Sequence, residues 1–562
     1  MVKQWLNSSQ RLISRQHSSI LSAAAIITAS SLLSSLLGLL RNRLLVGEFF
    51  GSPLSRMQLD AYWVAFRLPE LVFQILVIGS LSAAFIPVFA KHLKQNRTEA
   101  FAIASSVMNI VLLVFAAVAG VIFIWAVPFT RLFTSTNFAE WQILLAAQLT
   151  RIMLLAQFFF AISNFLTGAI QAEHRFLIPA LSPSAYNLGI ILGTVLLAPM
   201  IGIYGPTIGV VVGALLHLLM QIPLARTLGF VYRPKILLKQ AGVVEMLRLM
   251  PPRIFAISVN QIELFATVFF ATALPSGSLT IMNIATQLMS APIRIFSVPM
   301  GQASLPFLSK TAADGEASQF KQTFLQSFHQ VLFIALPAGM LLLILRIPLV
   351  RLAYGAAEFP WAATVLTGKV VAILALSVFA SASIHVLTRV YYALHDTKIP
   401  LWIALISVLI NISIAYLSVM VYHWGVIGLA FGVTVAALVQ MSLLIIKLKP
   451  KISGMTMREL LSSPLKMGLA TAAMGLALWI PLRLLDRYVF DTTRVLPLLL
   501  LTLIVSLIGA VVYLSLARMF RIPALEAYAR ILSKLGNWRS VLAQTEEVIE
   551  EPPTQNEQIK PW

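Results

Sequence analysis

The sequence predicts an all-α polytopic membrane protein with about fourteen transmembrane helices, as two pseudo-symmetric six-helix lobes plus two C-terminal helices. Three observations lead there. Of 562 residues, 59% are apolar and 11% charged, with a mean hydropathy of +0.87; a soluble domain carries about 25% charge. The apolar residues come in runs of roughly 20, enough to cross a bilayer as helix, rather than in the alternation of an outer-membrane barrel. An offset near 222 residues relates four places along the chain.

The first run, Ser18–Leu40, exceeds the roughly 7–15 apolar residues of a signal-peptide core and reads as a span. In order, the spans are drawn at 18–45, 61–90, 100–127, 141–171, 178–201, 205–226, 247–274, 278–308, 324–345, 361–392, 399–421, 424–446, 466–485 and 494–518. Gly202-x-x-Gly205-x-x-x-Gly209-Val210 returns as Gly425-x-x-Gly428-x-x-x-Gly432-Val433. Pro69 returns as Pro292, Ile178-Pro179 as Ile399-Pro400 and Asn187 as Asn411. Six spans per repeat is even, so the lobes should be related by an axis along the membrane normal. The resulting divisions are 1–17 (N-terminal segment), 18–227 and 228–448 (lobes), 449–520 (two extra spans) and 521–562 (tail). In span 6, Gly205, Gly209 and Gly213 form a small-residue stripe that lets helices approach closely. In the tail, 523–535 reads as a surface helix carrying Arg530 and Lys534, followed by a disordered acidic segment.

The 41 Lys+Arg outnumber the 21 Asp+Glu. Of the 41, 26 lie in loops on the side shared by both chain ends, nine on the other side and six inside spans. The positive-inside rule accounts for this excess without nucleic acid and puts both termini in the cytoplasm. Cysteine is absent, so no disulfide or thiol chemistry is expected. No metal-type cluster, catalytic constellation or phosphate-binding glycine loop is visible, so the expectation is a transporter and not an enzyme, without metal or cofactor. His217 and His385 read as hydrogen-bonded interior residues.

Charge inside the membrane is costly and generally faces a cavity or a partner. The first lobe holds Arg41, Arg43, Asp60, Arg67 and Glu70. Asp60, Arg67 and Gln74 are seven apart and share a helix face, and Arg67 and Glu70 are three apart. Pro69 should bend that helix beside Arg67. The second lobe replaces these with Asn283, Ser290 and Ser297 but adds Arg294, while span 7 carries Arg253, Asn260, Glu263 and Thr267. The reading is a water-filled, net cationic cavity for an anionic group, since arginine donates to phosphate in pairs. The expected binding residues are Arg41, Arg43, Asp60, Arg67, Glu70 and Arg294, with Asp60 orienting Arg67. Glu263 and Asn411 are candidates for a coupling-cation site. The competing readings are helix-end snorkelling for Arg41 and Arg43 and a structural polar pair for Asp60 and Arg67.

Four motifs carry a family resemblance: Leu37-Gly38-Leu-Leu-Arg41, Asp60-Ala-Tyr-Trp-Val-Ala-Phe-Arg67-Leu-Pro69, Gly79-Ser-Leu-Ser-Ala-Ala-Phe85-Ile-Pro87 and Tyr392-Ala-Leu-His-Asp396-Thr397-Lys398-Ile-Pro400. The chain resembles the MurJ (MviN) family of lipid II flippases, over roughly residues 18–520. The resemblance implies a central cationic cavity for a diphosphate-sugar head group, a groove at spans 13 and 14 for the polyprenyl tail, and alternating access. It implies a monomer in the bacterial cytoplasmic membrane whose partner is lipid II, an undecaprenyl-diphosphate-linked peptidoglycan precursor. Membrane lipids and cell-wall synthesis proteins are further expected partners, and membrane potential, which favours outward movement of an anion, or a monovalent cation is the expected driving force. Ser35, Phe73 and Gln287 stand where family members often carry arginine. The alternatives are an exporter of another polyprenyl-linked glycan and a cell-wall scaffold that transports nothing.

Overall fold

The computed structural model describes residues 20–78, 85–173, 175–355, 358–452 and 454–536, and every regular element among them is helical. The N-terminal segment and the acidic tail segment lie outside the described residues. So do the side chains of Arg253, Asn260, Arg530 and Lys534.

The first half runs α1 (Ile20–Phe49), α2 (Pro53–Phe73), α3 (Ile86–Gln95), α4 (Arg97–Ile124), α5 (Ala126–Phe133), α6 (Glu140–Ala172), α7 (Leu177–Leu192), α8 (Ala198–Ile201) and α9 (Tyr204–Thr227). The second runs α10 (Ala241–Thr272), α11 (Ser278–Pro292), α12 (Val298–Ala313), α13 (Ala317–Ile344), α14 (Arg346–Tyr354), α15 (Trp361–Ala375), α16 (Val378–Ala393), α17 (Lys398–Tyr416) and α18 (Val426–Leu448). The chain closes with α19 (Met457–Tyr488), α20 (Val495–Met519) and α21 (Pro523–Gly536), the last a helix over the residues where one was expected. Ten described helices are long and apolar enough to cross a membrane, or eleven if the pair α15 and α16, bent by 42°, is one span. The fourteen read from the sequence are not all reached by that measure.

Local chemistry sets the helix ends. Ser52 accepts from the Ser55 amide and Pro53 takes the first helical position, so α2 starts eight residues before the expected Ala61. Asn96 caps α4 through the Thr98 and Glu99 amides, and Thr456 with Glu459 forms a capping box on α19.

The repeat is visible in the backbone. α1 packs on α7 and α10 on α17; α2 packs on α6 and α11 on α15; α9 and α18 occupy matching places. Single π-helical turns fall at Gln74–Ile78 and Ile293–Ser297, and at Gly193–Leu197 and Leu417–Val421. The π turn that follows α2 begins at Gln74, five residues after Pro69. Gly202 (φ 58°, ψ −137°) and Gly425 (φ 66°, ψ −149°) share a conformation that favours glycine and turn the chain at equivalent points.

The glycine stripe brings α7 and α9 together. A Cβ on Gly209 would lie 2.8 Å from the Gly189 carbonyl oxygen, and one on Gly189 would lie 2.3 Å from Gly213 Cα. The helices α19 and α20 pair with each other and dock on the second lobe through α13 and α14. Tyr513 on α20 anchors this by donating to the Phe333 carbonyl at 2.8 Å.

Two faces follow. One gathers the basic loops: Arg97 binds Glu173 and the Leu228 carbonyl, Asp396 binds Lys451, and Lys321 binds Glu459. The opposite, far face gathers the α1–α2, α5–α6, α10–α11, α14–α15 and α19–α20 junctions.

Gly209→Leu should force α7 and α9 apart, lowering stability by about 1–3 kcal/mol. Thermal unfolding of the purified protein in detergent checks this, with Gly120→Leu, at an open position, expected to be near neutral.

Candidate functional site

A cavity of about 740 Å³ lies between the lobes, walled by α1, α2, α6, α7, α9, α10, α11 and the Ile293–Ser297 turn, with Val433 of α18 also contributing. Arg41, Arg67 and Arg294 line it with Glu70 and Glu263, so its formal charge is net positive. Aromatic side chains including Trp63, Phe66, Phe73, Phe160 and Tyr186 supply the rest of the wall.

Each arginine is held differently. Arg41 donates from Nε to Asn42 Oδ1 at 2.9 Å and from Nη1 to Asn187 Oδ1 at 3.0 Å. Asn187 is itself fixed, donating to the Ser34 carbonyl and hydroxyl and to the Pro183 carbonyl. Asn42 bonds Gln287 across the lobe boundary, and the Tyr354 hydroxyl donates to Gln287 Oε1 at 3.3 Å. Arg67 donates from Nη2 to Asn283 Oδ1 at 2.9 Å, again across the lobes, and lies 3.9 Å from Glu70. Arg294 sits on the π turn with its side chain exposed to the cavity.

Three buried donors on this wall, Trp63 Nε1, Arg67 Nε and Asn283 Nδ2, have no partner among the described residues; nor does one acceptor, Gln157 Oε1. A buried polar atom without a partner costs about 1–3 kcal/mol. Clustered donors of this kind suit an acceptor-rich anionic group.

The structure moves two expected site residues elsewhere. Asp60 does not touch Arg67. Its buried carboxylate accepts from the Gly277 amide at 2.6 Å, the Thr280 amide at 3.0 Å and the Thr280 hydroxyl at 2.7 Å. It caps the start of α11 in the other lobe, because the first helical amides there have no intrahelical partner. Asn283, the repeat counterpart of Asp60, is what orients Arg67. Arg43 points away from the cavity and donates to the Leu352 carbonyl on α14 at 2.7 Å. Both contacts lie toward the far face, as do Ser135 N to Thr272 Oγ1 and Asn137 Nδ2 to the Ala273 carbonyl, each at 2.9 Å. Together they seal that end. At the basic face, the described bonds between lobes run through the linker and the start of α10: Lys91 to Glu245 at 3.5 Å and Gln240 to Glu99 at 3.1 Å.

Glu263 and Asn411 do meet, Asn411 Nδ2 donating to Glu263 Oε1 at 2.8 Å. A cavity of about 10 Å³ lined by Thr267 and Asn411 adjoins them. His217 accompanies Ser163, its Nδ1 2.7 Å from the hydroxyl, in a buried cluster with Gln221 and Thr167. Among the described residues no group of three His, Cys, Asp or Glu could hold a metal ion. Sequence reasoning passed over Asn42, Trp63 and His217 as wall residues and treated Gln287 as a lost arginine. The available signal was Asn42, an amide side chain between Arg41 and Arg43 in a mostly apolar helix.

The family profile described as lipid II flippase MurJ matches residues 49–498. A probable lipid II flippase MurJ of Bdellovibrio bacteriovorus is 30% identical over 467 residues, covering 82% of this chain and 88% of the relative. The lipid II flippase MurJ of Burkholderia cenocepacia is 28% identical, covering 76% and 84%. Among solved structures, a lipid II flippase MurJ in an inward closed conformation aligns with a TM-score of 0.72 at 24% identity, covering 88% of this chain and 98% of that one. An inward-facing multidrug transporter of the MATE family aligns at 0.62 and 14% identity, covering 75% and 94%. These two likenesses support the fold.

Asp60→Ala should loosen the far-face seal by about 2 kcal/mol, roughly a thirtyfold shift toward an opened far end. The chain has no cysteine, so Met282→Cys on the cavity wall gives a clean probe. Faster labelling by an impermeant maleimide from the far side is expected in Asp60→Ala, and equal rates would show that the cap does not hold the lobes together.

Proposed function

The chain belongs to the MurJ family of lipid II flippases, and from that membership we propose that it moves lipid II from the inner to the outer leaflet by alternating access of its inter-lobe cavity. It is a multi-pass protein of the bacterial inner membrane and a transporter. We place the basic face in the cytoplasm, which puts both termini there, as the loop charges favour. The diphosphate of the substrate is the ligand of the cavity arginines in this reading. Arg41 and Arg67 bind it, Arg294 meets it nearer the basic face, and Asn187 and Asn283 hold the first two in position.

The observation that carries this reading is the convergence of three arginines and three unpartnered buried donors on one cavity. A diphosphate is rich in acceptors and takes paired N–H donors from guanidinium. The far-face seal supports a state with access from the cytoplasmic side. The lobes of one chain complete the cavity, which favours a single chain as the working unit. An inside-negative potential assists an outgoing anion by about 2.3 kcal/mol per charge per 100 mV.

Glu263 with Asn411 is proposed as the site of a coupling monovalent cation. The pair supplies a carboxylate and an amide oxygen beside a cavity about one water in size.

Two experiments test these proposals. In a bacterium depleted of its own lipid II flippase, wild type should restore growth, while Arg41→Ala and Arg67→Ala at equal membrane levels should fail. Each loses a charge-assisted contact worth about 1.5–3 kcal/mol, at least tenfold in binding. Rescue that survives both substitutions would sink the arginine site while leaving the substrate standing. In reconstituted vesicles, Glu263→Gln should abolish any stimulation of transport by sodium, lithium or potassium gradients. The same cation response in wild type and variant would refute the coupling site.

A further inference from the structure

At the far face, away from the inter-lobe cavity, a second pocket of about 280 Å³ lies where α14, the start of α15 and the start of α20 meet. Arg351 and Arg494 both line it, with Trp361, Thr364 and Thr493. Arg351 is set in place twice. Its Nη2 donates to the Thr493 carbonyl at 3.3 Å, and its guanidinium lies 5.6 Å from the centre of the Trp361 ring. Arg494 keeps an 81% exposed side chain, with Nε 3.6 Å from Asp491. Asp491 is spoken for: it accepts from the Thr493 hydroxyl at 2.5 Å and amide at 3.1 Å. Those bonds, then the charges of Arg494 and Arg351, hold its carboxyl below the usual range. One carboxylate faces two guanidiniums, so the pocket is net positive. The helices α15 and α20 both begin at it without a side-chain cap, adding free amides to the donors.

We propose that this pocket binds a phosphate group, supplied by the phosphodiester of a membrane lipid. Two arginines around a small concave space give the planar, paired donors that phosphate takes. The depth in the membrane favours the lipid over free phosphate. The apolar stretch of α20 begins here, with Val495 and Leu496 exposed beside the exposed Trp361, which is the head-group level where tryptophan collects. The pocket also touches the main cavity through α14. Leu352 lines the pocket while its carbonyl holds Arg43, and Tyr354 of the same helix bonds Gln287 on the cavity wall. The site is independent of which substrate the main cavity carries.

Native mass spectrometry of the full-length protein released from detergent tests it, with phosphatidylglycerol, diacylglycerol and inorganic phosphate as separate probes. Phosphatidylglycerol adducts should fall on the order of tenfold in Arg351→Gln/Arg494→Gln. They should persist in Arg346→Gln, at the start of the helix that carries Arg351, where the arginine bonds the Leu343 carbonyl near the end of α13. Diacylglycerol should show no arginine dependence. Arginine-dependent binding of inorganic phosphate alone would keep the site and reassign its source to the free ion. Equal phosphatidylglycerol adducts in wild type and double variant would overturn the proposal. If the double variant fails to fold, Arg494→Gln alone, at an exposed side chain, should still weaken the adduct severalfold.

Discussion

A helix that begins inside a membrane protein leaves its first amides without partners, and hydrocarbon offers no water to meet them. At the start of α11 a carboxylate from the opposite lobe meets them. Asp60 thereby fixes α2 against α11 at the far face. The wall of the cavity depends on that fixed point. One turn further along α11, Asn283 comes within reach of Arg67, and another turn brings Gln287 to Asn42. The seal and the binding wall are consecutive turns of the same helix contact, so they cannot be altered independently.

The two lobes share a backbone plan but not a charge plan. Arg41 on α1 bonds Asn187 on α7, and Glu263, 222 residues on, bonds Asn411 on α17. The scaffold of a charged residue steadied by an asparagine is thus used twice with opposite sign. The cavity is an asymmetric electrostatic space inside a nearly symmetric shape, with two of its three arginines, and the more enclosed ones, on the first lobe.

Much of this was legible beforehand. The long apolar runs, the 222-residue offset and the glycine stripe are local or periodic, and the helices, paired π turns and close α7–α9 packing follow them. Arg41, Arg67, Glu70 and Arg294 were legible because charge in an apolar run is rare. Asp60 and Arg43 were visible as charges, but their partners were not: Gly277 lies 217 residues from Asp60, and Leu352 is a backbone carbonyl. Trp63 looks unremarkable as a neutral residue in a membrane helix, and only the meeting of lobes makes it, Asn42 and Gln287 parts of one wall. The Asp396 motif, read as a family mark, turns out to be a loop clasp: it caps α17 through the Lys398 and Ile399 amides and pairs with Lys451.

The paired π turns have a mechanical meaning. A π turn absorbs one extra residue, which rotates everything beyond it by about 100° about the helix axis. In α2 and α11 the turn falls at the end of the stretch that carries the cavity side chains, and Gln74 and Arg294 of the turns themselves line the cavity. In the second lobe the helix resumes at once as α12, so this span is two shorter rods joined at a swivel. The half toward the far face can keep its polar stripe in register with its partner lobe, while the half toward the basic face chooses its own packing surface. Insertion or loss of a residue on one side of the swivel need not scramble the polar stripe on the other.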